Sequence, residues 1–305
     1  MLKDGLISPR SVKTVVFDEA DTLLGSDVDG YNQCKELCSK RLKDAQVLFF
    51  SATFTEELKM RVRTDFLQPQ GKPPTPLNVI SLVVTEKQEG VIDANMLCQC
   101  AVDCMQKGET GGPIGKFDAL REMYQTLDMS GGTLVFVRTK VDAATIHRGL
   151  HDLGMKPCLI TGDTEKGPGP NQRDGIFKRF RDTEEFNVCI CTDLLGKGVD
   201  ITKVTIIINY DLPDEKDQNT GHFKVSTTSY LQRGGRSTRG GSKGVLINLC
   251  NGENDMNDVR TIERHFFGQA VDESGPNSVI KLIPPNEAGE FETENLQNLI
   301  KDFLA

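Results

Sequence analysis

Long apolar runs are missing from this sequence. No stretch approaches the ~20 consecutive apolar residues that a membrane-spanning helix needs, and the first residues lack the pattern of a secretory signal peptide. We therefore expect no contact with a membrane. The nine cysteines are an odd number spread over 305 residues, which argues against a disulfide framework and favours a reduced, intracellular compartment.

A zinc-like spacing of metal ligands is also lacking. Cys98, Cys100 and Cys104 come closest, but no second CxxC pair or His partner accompanies them, so we interpret them as packing thiols. The formal net charge of −8 weighs against non-specific nucleic-acid binding. Total charge is nevertheless a weak guide when the basic residues cluster.

A short apolar run that ends in carboxylates stands near the beginning of the chain. Residues 15–17 are followed by Asp18-Glu19-Ala20-Asp21. The pattern predicts a buried parallel strand that delivers acidic side chains to its carboxyl end, the edge where open α/β sheets bind ligands. An Asp in that place typically holds Mg²⁺ on the phosphates of a nucleotide. An acidic turn after an ordinary strand is the alternative.

A second apolar run, residues 46–50, ends in Ser51-Ala52-Thr53. The hydroxyl groups could hydrogen-bond the neighbouring carboxylates, or cap the helix that follows, or both. A further strand is predicted at 77–84. The polar, glycine-containing stretch that follows, 85–94, predicts a domain boundary.

The rest of the chain alternates between helix and strand patterns. Strands are predicted at 96–102, 133–137, 157–161, 187–192, 204–209 and 244–249, and helices at 29–43, 56–66, 117–127, 141–153, 173–181, 255–267 and 292–304. This alternation predicts an α/β protein with a doubly wound parallel sheet.

Three arginines recur every three residues late in the chain. Arg233, Arg236 and Arg239 have no acid nearby in the sequence to pair them. Side chains at this spacing lie close together on a helical turn, and planar guanidinium groups fit phosphate oxygens. A solvated basic turn is the alternative, but the flanking glycines favour close approach to a ligand.

Taken in order, these motifs resemble those of the DEAD-box RNA helicases over nearly the whole chain. The matching stretches are Asp18-Glu19-Ala20-Asp21, Ser51-Ala52-Thr53, Phe136-Val137-Arg138-Thr139-Lys140, Thr192-Asp193 with 196–200, and Arg233-x-x-Arg236-x-x-Arg239. Within the family, the extended segment 211–228 and the tail 262–267 resemble the mRNA-export subfamily of the nuclear pore. The resemblance implies tandem RecA-like domains with parallel sheets flanked by helices, a truncated first domain at 1–86 and a second at 87–305.

The resemblance also implies roles for single residues. Asp18 would hold Mg²⁺ through water, and Glu19 would act on the water that attacks ATP. Arg236 and Arg239 would be arginine fingers on the γ-phosphate, which contribute about 10³–10⁵ in rate in related reactions. Further ATP contacts are implied for Asp21, Gly198, Asp200 and Arg233, RNA contacts for Arg138, Gly162, Thr192 and Lys197, and coupling of hydrolysis to domain movement for Ser51, Thr53 and Gln232.

ATP and Mg²⁺ are therefore the implied cofactors, and single-stranded RNA or RNA–protein complexes the implied substrate. Helicases of this family grip phosphates and 2′-hydroxyls, so little base specificity is expected. The subfamily implies a nucleoporin and an export activator as partners, a monomer, and a place in the cytoplasm or nucleus, including the nuclear pore.

Two features of the family are absent from the sequence: the adenine-reading glutamine motif and the phosphate-cradling GxxxxGK[ST] loop. Residues 111–116 come closest, but the spacing is short and Phe117 replaces the hydroxyl residue. We interpret them as a loop that caps the next helix. We therefore expect the chain to begin part-way through the first domain, and alone to bind and hydrolyse ATP poorly.

The arginine motif departs from the family as well. Gln232 replaces a His, Gly234 a bulky aliphatic residue and Thr238 a Gly, while Lys197 replaces an Arg. These changes put the coupling between ATP and RNA in doubt more than the phosphate contacts. A non-catalytic RNA- or protein-binding module derived from a helicase is therefore the alternative function.

Overall fold

The computed structural model describes residues 8–24, 28–42, 45–51, 56–66, 93–108, 114–127, 132–193, 204–217, 220–238, 241–268 and 279–304. Contacts divide the chain into two compact units, Met1–Gly90 and Val91–Ala305, which we call unit 1 and unit 2. The predicted strand at 77–84 lies outside the described residues. In the described part, no helix is long and apolar enough to cross a membrane.

Unit 1 is built on two parallel strands. After a 3-10 turn at Pro9–Ser11, its elements are β1 Thr14–Phe17, α1 Ala20–Leu23, α2 Val28–Glu36, β2 Gln46–Phe49 and α3 Glu56–Arg61. Helices α2 and α3 continue as π-helical turns over Leu37–Arg41 and Val62–Phe66. Strands β1 and β2 pair in register from Thr14 opposite Gln46 to Phe17 opposite Phe49.

The core of unit 1 lies on one face of this pair of strands. Phe17 and Phe49 stack with their ring centroids 5.3 Å apart, and Phe66 meets both rings edge-on. On the other face, Val16 is 55% exposed. The prediction of a fully buried β1 is therefore wrong for the described part of unit 1, because successive side chains of a strand point to opposite faces and the described residues cover only the face of Phe17.

Unit 2 is a seven-stranded parallel sheet with helices on both faces. Its elements, in chain order, are β3 Leu97–Asp103, α4 Gly115–Thr126, β4 Thr133–Phe136, α5 Lys140–Asp152, β5 Pro157–Ile160, α6 Arg173–Asp182, β6 Val188–Cys191, β7 Ile206–Asn209, β8 Asp214–Lys216, β9 Phe223–Val225, α7 Thr227–Gly234, β10 Gly244–Cys250, α8 Glu253–Phe267, β11 Ile280–Leu282 and α9 Thr293–Leu304.

The strands of the large sheet follow the order β11-β3-β10-β7-β4-β6-β5, and every neighbouring pair is parallel. Helices α4, α5 and α9 cover one face, and α6, α7 and α8 cover the other. The predicted α/β fold is confirmed. Strand β11 and the antiparallel hairpin β8–β9 were not predicted, because three-residue strands are too short to show a period.

Gly234 lets the end of α7 lie close to the sheet. A Cβ atom at this position would come within 3.0 Å of Leu97 Cδ2 and 3.1 Å of Leu246 Cδ1, which is tighter than ordinary van der Waals contact. The bulky aliphatic residue of the family therefore has no room here unless the helix or its neighbours move.

We predict that Gly234→Ile lowers the free energy of unfolding by about 1–3 kcal/mol, because the added side chain overpacks the interface between α7 and the sheet. Urea denaturation followed by circular dichroism measures the loss. The matched control adds Leu246→Ala, which removes one of the two close methyl groups. The double variant should lose less than the sum of the two single variants; simple additivity would contradict the steric explanation.

Candidate functional site

The carboxyl end of β1 presents the acidic residues. Asp18 follows the strand, and its Oδ1 accepts a hydrogen bond from the backbone N–H of Glu19 at 2.9 Å. Glu19 has φ 52° and ψ 48°, the left-handed region, and no other non-glycine residue in the described part has a positive φ. Such strain costs of order 1–3 kcal/mol and clusters at active sites. The backbone thus supports a functional role for this turn.

Backbone hydrogen bonds fix this turn against β2. The N–H of Ala20 donates to the carbonyl of Phe50 at 2.9 Å, and the N–H of Phe50 donates to Phe17 at 2.8 Å. Ser51 follows Phe50, so it stands at the same edge of the small sheet as Glu19. Asp21 lies in the first turn of α1 beside this edge. The predicted hydrogen bonds from Ser51 to the carboxylates stay a prediction, and Thr53 lies outside the described residues.

Arg233, on α7, is the central charged group of unit 2. Its side chain is 1% exposed, and its Nε and Nη2 lie 2.7 and 2.5 Å from Asp193 Oδ1. Its Nη1 donates to Asn209 Oδ1 at 2.7 Å and to the carbonyl of Asp211 at 2.8 Å. The guanidinium also lies 4.6 Å from the ring centre of Phe136. Three strand ends thus meet at one cation, since Phe136, Asp193 and Asn209 end or follow β4, β6 and β7.

The fold gives Arg233 a partner that is not near it in the sequence. Folding brings Asp193 to it from forty positions away. Its Nε, Nη1 and Nη2 all meet acceptors of its own unit, which indicates a structural role, while the ATP contact implied for Arg233 stays a prediction. Burial lowers the pKa of Arg233 and the charge of Asp193 opposes that shift; an Arg so paired stays protonated.

A buried chain of polar side chains extends from Arg233 across the sheet. Asn209 donates to Asn248 Oδ1 at 2.8 Å, Asn248 donates to the Tyr230 hydroxyl at 3.1 Å, and that hydroxyl donates to Gln99 Oε1 at 3.1 Å. All four side chains are at most 1% exposed. The sequence analysis did not predict this hydrogen-bonded network. The signal that could have revealed it is the asparagine that interrupts the apolar run in each of β7 and β10.

The predicted RNA contacts of unit 2 gather at one edge of its sheet. Arg138 follows β4, Gly162 follows β5 and Thr192 follows β6, and these three strands are neighbours. The Arg138 side chain is 56% exposed, its Nε lies 2.8 Å from Asp214 Oδ2, and its backbone N–H donates to Asp211 Oδ2 at 2.9 Å. Gly162 is exposed and Thr192 is 8% exposed.

Arg236 and Gln232 are positioned by the same helix. Gln232 is a half-buried residue of α7. Arg236 stands in the turn after α7, is 5% exposed, and donates its backbone N–H to the carbonyl of Arg233 at 3.0 Å. Lys197, Gly198, Asp200 and Arg239 lie outside the described residues.

Lys116 is held by carboxylates of its own unit. Its Nζ lies 2.9 Å from Asp255 Oδ2 and 3.5 Å from Asp211 Oδ1, and its side chain is 14% exposed. Gly115, with φ +75°, begins α4 immediately before it. Of the stretch 111–116, residues 111–113 lie outside the described residues, and Gly115 and Lys116 form the first turn of α4.

Comparison with known proteins decides the family. The sequence model described as "DEAD/DEAH box helicase" matches residues 2–60, and the one described as "Helicase conserved C-terminal domain" matches residues 115–241. The chain belongs to the DEAD-box helicase family. The predicted resemblance is thereby confirmed.

DEAD-box proteins that are similar in sequence to this chain include helicases from yeast and human. The ATP-dependent RNA helicase DBP5 of Saccharomyces cerevisiae S288c is 27% identical over 266 residues, which are 87% of this chain and 49% of that protein. The ATP-dependent RNA helicase DDX19B of Homo sapiens is 29% identical over 261 residues, 85% of this chain and 48% of that protein. The chain thus spans about half the length of the curated relatives it matches.

Solved structures of a DEAD-box helicase match the fold. S. cerevisiae Dbp5 bound to RNA and ADP BeF3 has a TM-score of 0.72 and 26% identity, covering 100% of this chain and 66% of that one. S. cerevisiae Dbp5 L327V bound to Gle1 H337R and IP6 has a TM-score of 0.68 and 25% identity. The match covers 99% of this chain and 65% of that one.

The carboxylates that follow β1, Asp18 and Glu19, suit a magnesium ion that is bound together with a nucleotide. Among the described residues, no group of three or more His, Cys, Asp or Glu side chains could hold a metal ion. Mg²⁺ is commonly bound through one or two carboxylates, substrate phosphates and water. Asp18 is an exposed carboxylate at a strand end, so it suits that arrangement.

We predict that Arg233→Met lowers the free energy of unfolding by about 2–3 kcal/mol, because the buried acceptors Asn209 Oδ1 and Asp211 O lose their charged donor. Chemical denaturation measures the loss. The matched control is Arg181→Met at an exposed pair with Asp182, for which we expect a change below about 1 kcal/mol. Equal losses in the two variants would contradict the role given to Arg233.

Proposed function

We propose that this chain is part of an ATP-dependent RNA helicase that couples ATP hydrolysis to the remodelling of RNA or RNA–protein complexes. Residues 1–86 are the carboxyl-terminal part of a first RecA-like domain and 87–305 are a second. The observation that carries the proposal is the gathering of Arg138, Gly162 and Thr192 at the ends of three neighbouring strands. Such an edge suits a strand of RNA held by its backbone.

Unit 1 supplies the acidic chemistry in this proposal. Asp18 would hold Mg²⁺ through water, and the Glu19 carboxylate would orient the attacking water and accept its proton. Mg²⁺, when bound with ATP, neutralises the charge that develops on the phosphates. The left-handed backbone of Glu19 and the hydrogen bond from its N–H to Asp18 fix the two carboxylates relative to each other.

Unit 2 supplies the cations. The guanidinium groups of Arg236 and Arg239 donate hydrogen bonds to the γ-phosphate. Asp21, Gly198 and Asp200 complete the nucleotide contacts, Asp200 at the ribose, and Lys197 joins the RNA contacts. Ser51, Thr53 and Gln232 couple hydrolysis to domain movement.

The biological setting follows from the subfamily. Yeast Dbp5 has been solved with RNA and, in a variant, with Gle1 and IP6. We propose that the protein acts as a monomer in mRNA export, in the cytoplasm or nucleus and at the nuclear pore, with a nucleoporin and an export activator as partners.

A non-catalytic RNA-binding module is the second candidate function. The replacements at Gln232, Gly234 and Thr238 in the arginine motif favour it. Because residues 1–305 contain no GxxxxGK[ST] loop, we propose that this chain alone does not hydrolyse ATP at a useful rate. RNA-stimulated hydrolysis in a polypeptide that also carries such a loop separates the two candidates. Hydrolysis supports the helicase, and intact RNA binding without hydrolysis supports the module.

We predict that the 305-residue chain binds single-stranded oligouridine, measured by fluorescence anisotropy over a series of salt concentrations. Arg138→Ala should weaken binding and reduce the slope of log affinity against log salt by about 0.7, the value for one lost contact to a single strand. The slope becomes less steep because binding of the variant releases one counterion fewer from the RNA.

The matched control for this experiment is Arg148→Ala, an exposed arginine of α5, which should leave the slope unchanged. Absence of RNA binding would contradict the proposed function. Equal weakening by both variants would contradict the placement of RNA at the edge that carries Arg138.

A further inference from the structure

We propose that Arg233 is a positioning residue that couples RNA binding at the strand ends to the turn that carries Arg236. The inference rests on the proposed function and deepens it. The buried guanidinium of Arg233 links the proposed RNA contacts to Arg236, the proposed contact of the γ-phosphate.

On the RNA side, the guanidinium holds the ends of β6 and β7. Its ion pair is with Asp193, the residue directly after Thr192. Its hydrogen bond to the Asp211 carbonyl reaches a residue whose carboxylate accepts the backbone N–H of Arg138 at 2.9 Å. Arg233 therefore directly contacts the sequence neighbour of one proposed RNA contact, Thr192, and the hydrogen-bond partner of another, Arg138.

On the other side, the backbone of Arg233 holds the next arginine. The carbonyl of Arg233 accepts the N–H of Arg236 at 3.0 Å. Ser237, the residue after Arg236, is 1% exposed, and its hydroxyl donates to the carbonyl of Gly234 at 3.0 Å. The turn is thus packed tightly, so a displacement of Arg233 reaches the backbone of Arg236 without a flexible segment between them.

The helix that carries Arg233 is anchored independently of the ion pair. Tyr230 lies one turn earlier on α7, and its hydroxyl joins Asn248 and Gln99 in the interior. Because Tyr230 holds the body of α7 when the ion pair is disturbed, the rearrangement is taken up at the end of the helix, by the backbone of Arg233 and the turn that follows it.

The ion pair is open to RNA at one end. The Arg233 side chain is 1% exposed, but that of Asp193 is 47% exposed. A phosphate that binds beside Thr192 brings negative charge next to Asp193 and offers acceptor oxygens of the geometry that a guanidinium prefers. RNA binding therefore competes with Asp193 for the donors of Arg233, and this exchange is the event that Arg236 senses.

The test uses the 305-residue chain and two-dimensional ¹H–¹⁵N NMR during titration with single-stranded oligouridine. In the unmodified chain, saturating RNA should shift the backbone amides of Arg138, Gly162, Thr192 and also Arg236. In Asp193→Asn the shift at Arg236 should be lost, while the shifts at the RNA contacts remain. Asp193→Asn keeps the size of the side chain and one acceptor oxygen while removing the charge, and dispersion of the amide signals checks that the fold is retained.

The matched control is Asp163→Asn. Asp163 also follows a strand of this edge, adjoins the RNA contact Gly162, and pairs with an exposed Lys140 at 2.5 Å without contacting Arg233. Removal of this charge should leave the response of Arg236 intact. Arg233→Lys, which keeps one positive charge but not the planar fork, should abolish the response as Asp193→Asn does.

Each outcome decides between the two proposals. If RNA shifts none of these amides, the proposed function fails and the coupling fails with it. If RNA shifts Arg138, Gly162 and Thr192 but not Arg236, or if the Arg236 shift survives undiminished in Asp193→Asn, RNA binding stands and the coupling through Arg233 is overturned. Loss in Asp193→Asn with retention in Asp163→Asn supports it.

Discussion

The buried guanidinium of Arg233 is the constraint on which the proposed RNA-binding edge of unit 2 depends. A charge at this depth is costly unless its donors meet well-placed acceptors, and the chain provides them from Asp193, Asn209 and the carbonyl of Asp211. These acceptors come from the ends of different strands. The sheet, α7 and the loops at the edge must therefore form together for the charge to be satisfied, which gives the edge one defined geometry.

The two units present different chemistry to a ligand. Unit 1 presents carboxylates on a strained turn, suited to a hydrated cation and a water molecule. Unit 2 presents backbone, hydroxyl and guanidinium groups along neighbouring strand ends, suited to phosphates. The division agrees with the proposed function, in which unit 1 supplies carboxylates for Mg²⁺ and water and unit 2 supplies cations for phosphates.

The sequence predicted the elements well where local patterns determine them. Apolar runs such as that of β4 and amphipathic helices such as α5 are local signals, and the acidic turn after β1 is visible from its letters alone. The pairing of Arg233 with Asp193 is not local, because it depends on which strand ends become neighbours. The exposure of Val16 was missed for a similar reason: a strand pattern does not show whether each face of the sheet is covered.

The most direct test of this account is the solvent exchange of arginine Nε–H protons, measured by NMR in the unmodified chain. Arg233 and Arg138 each form an ion pair through Nε, but their side chains are 1% and 56% exposed. We predict a protected, slowly exchanging Nε–H at Arg233 and fast exchange at Arg138. Equally fast exchange at both would show that the guanidinium of Arg233 is open to water, and the central role given to it would be contradicted.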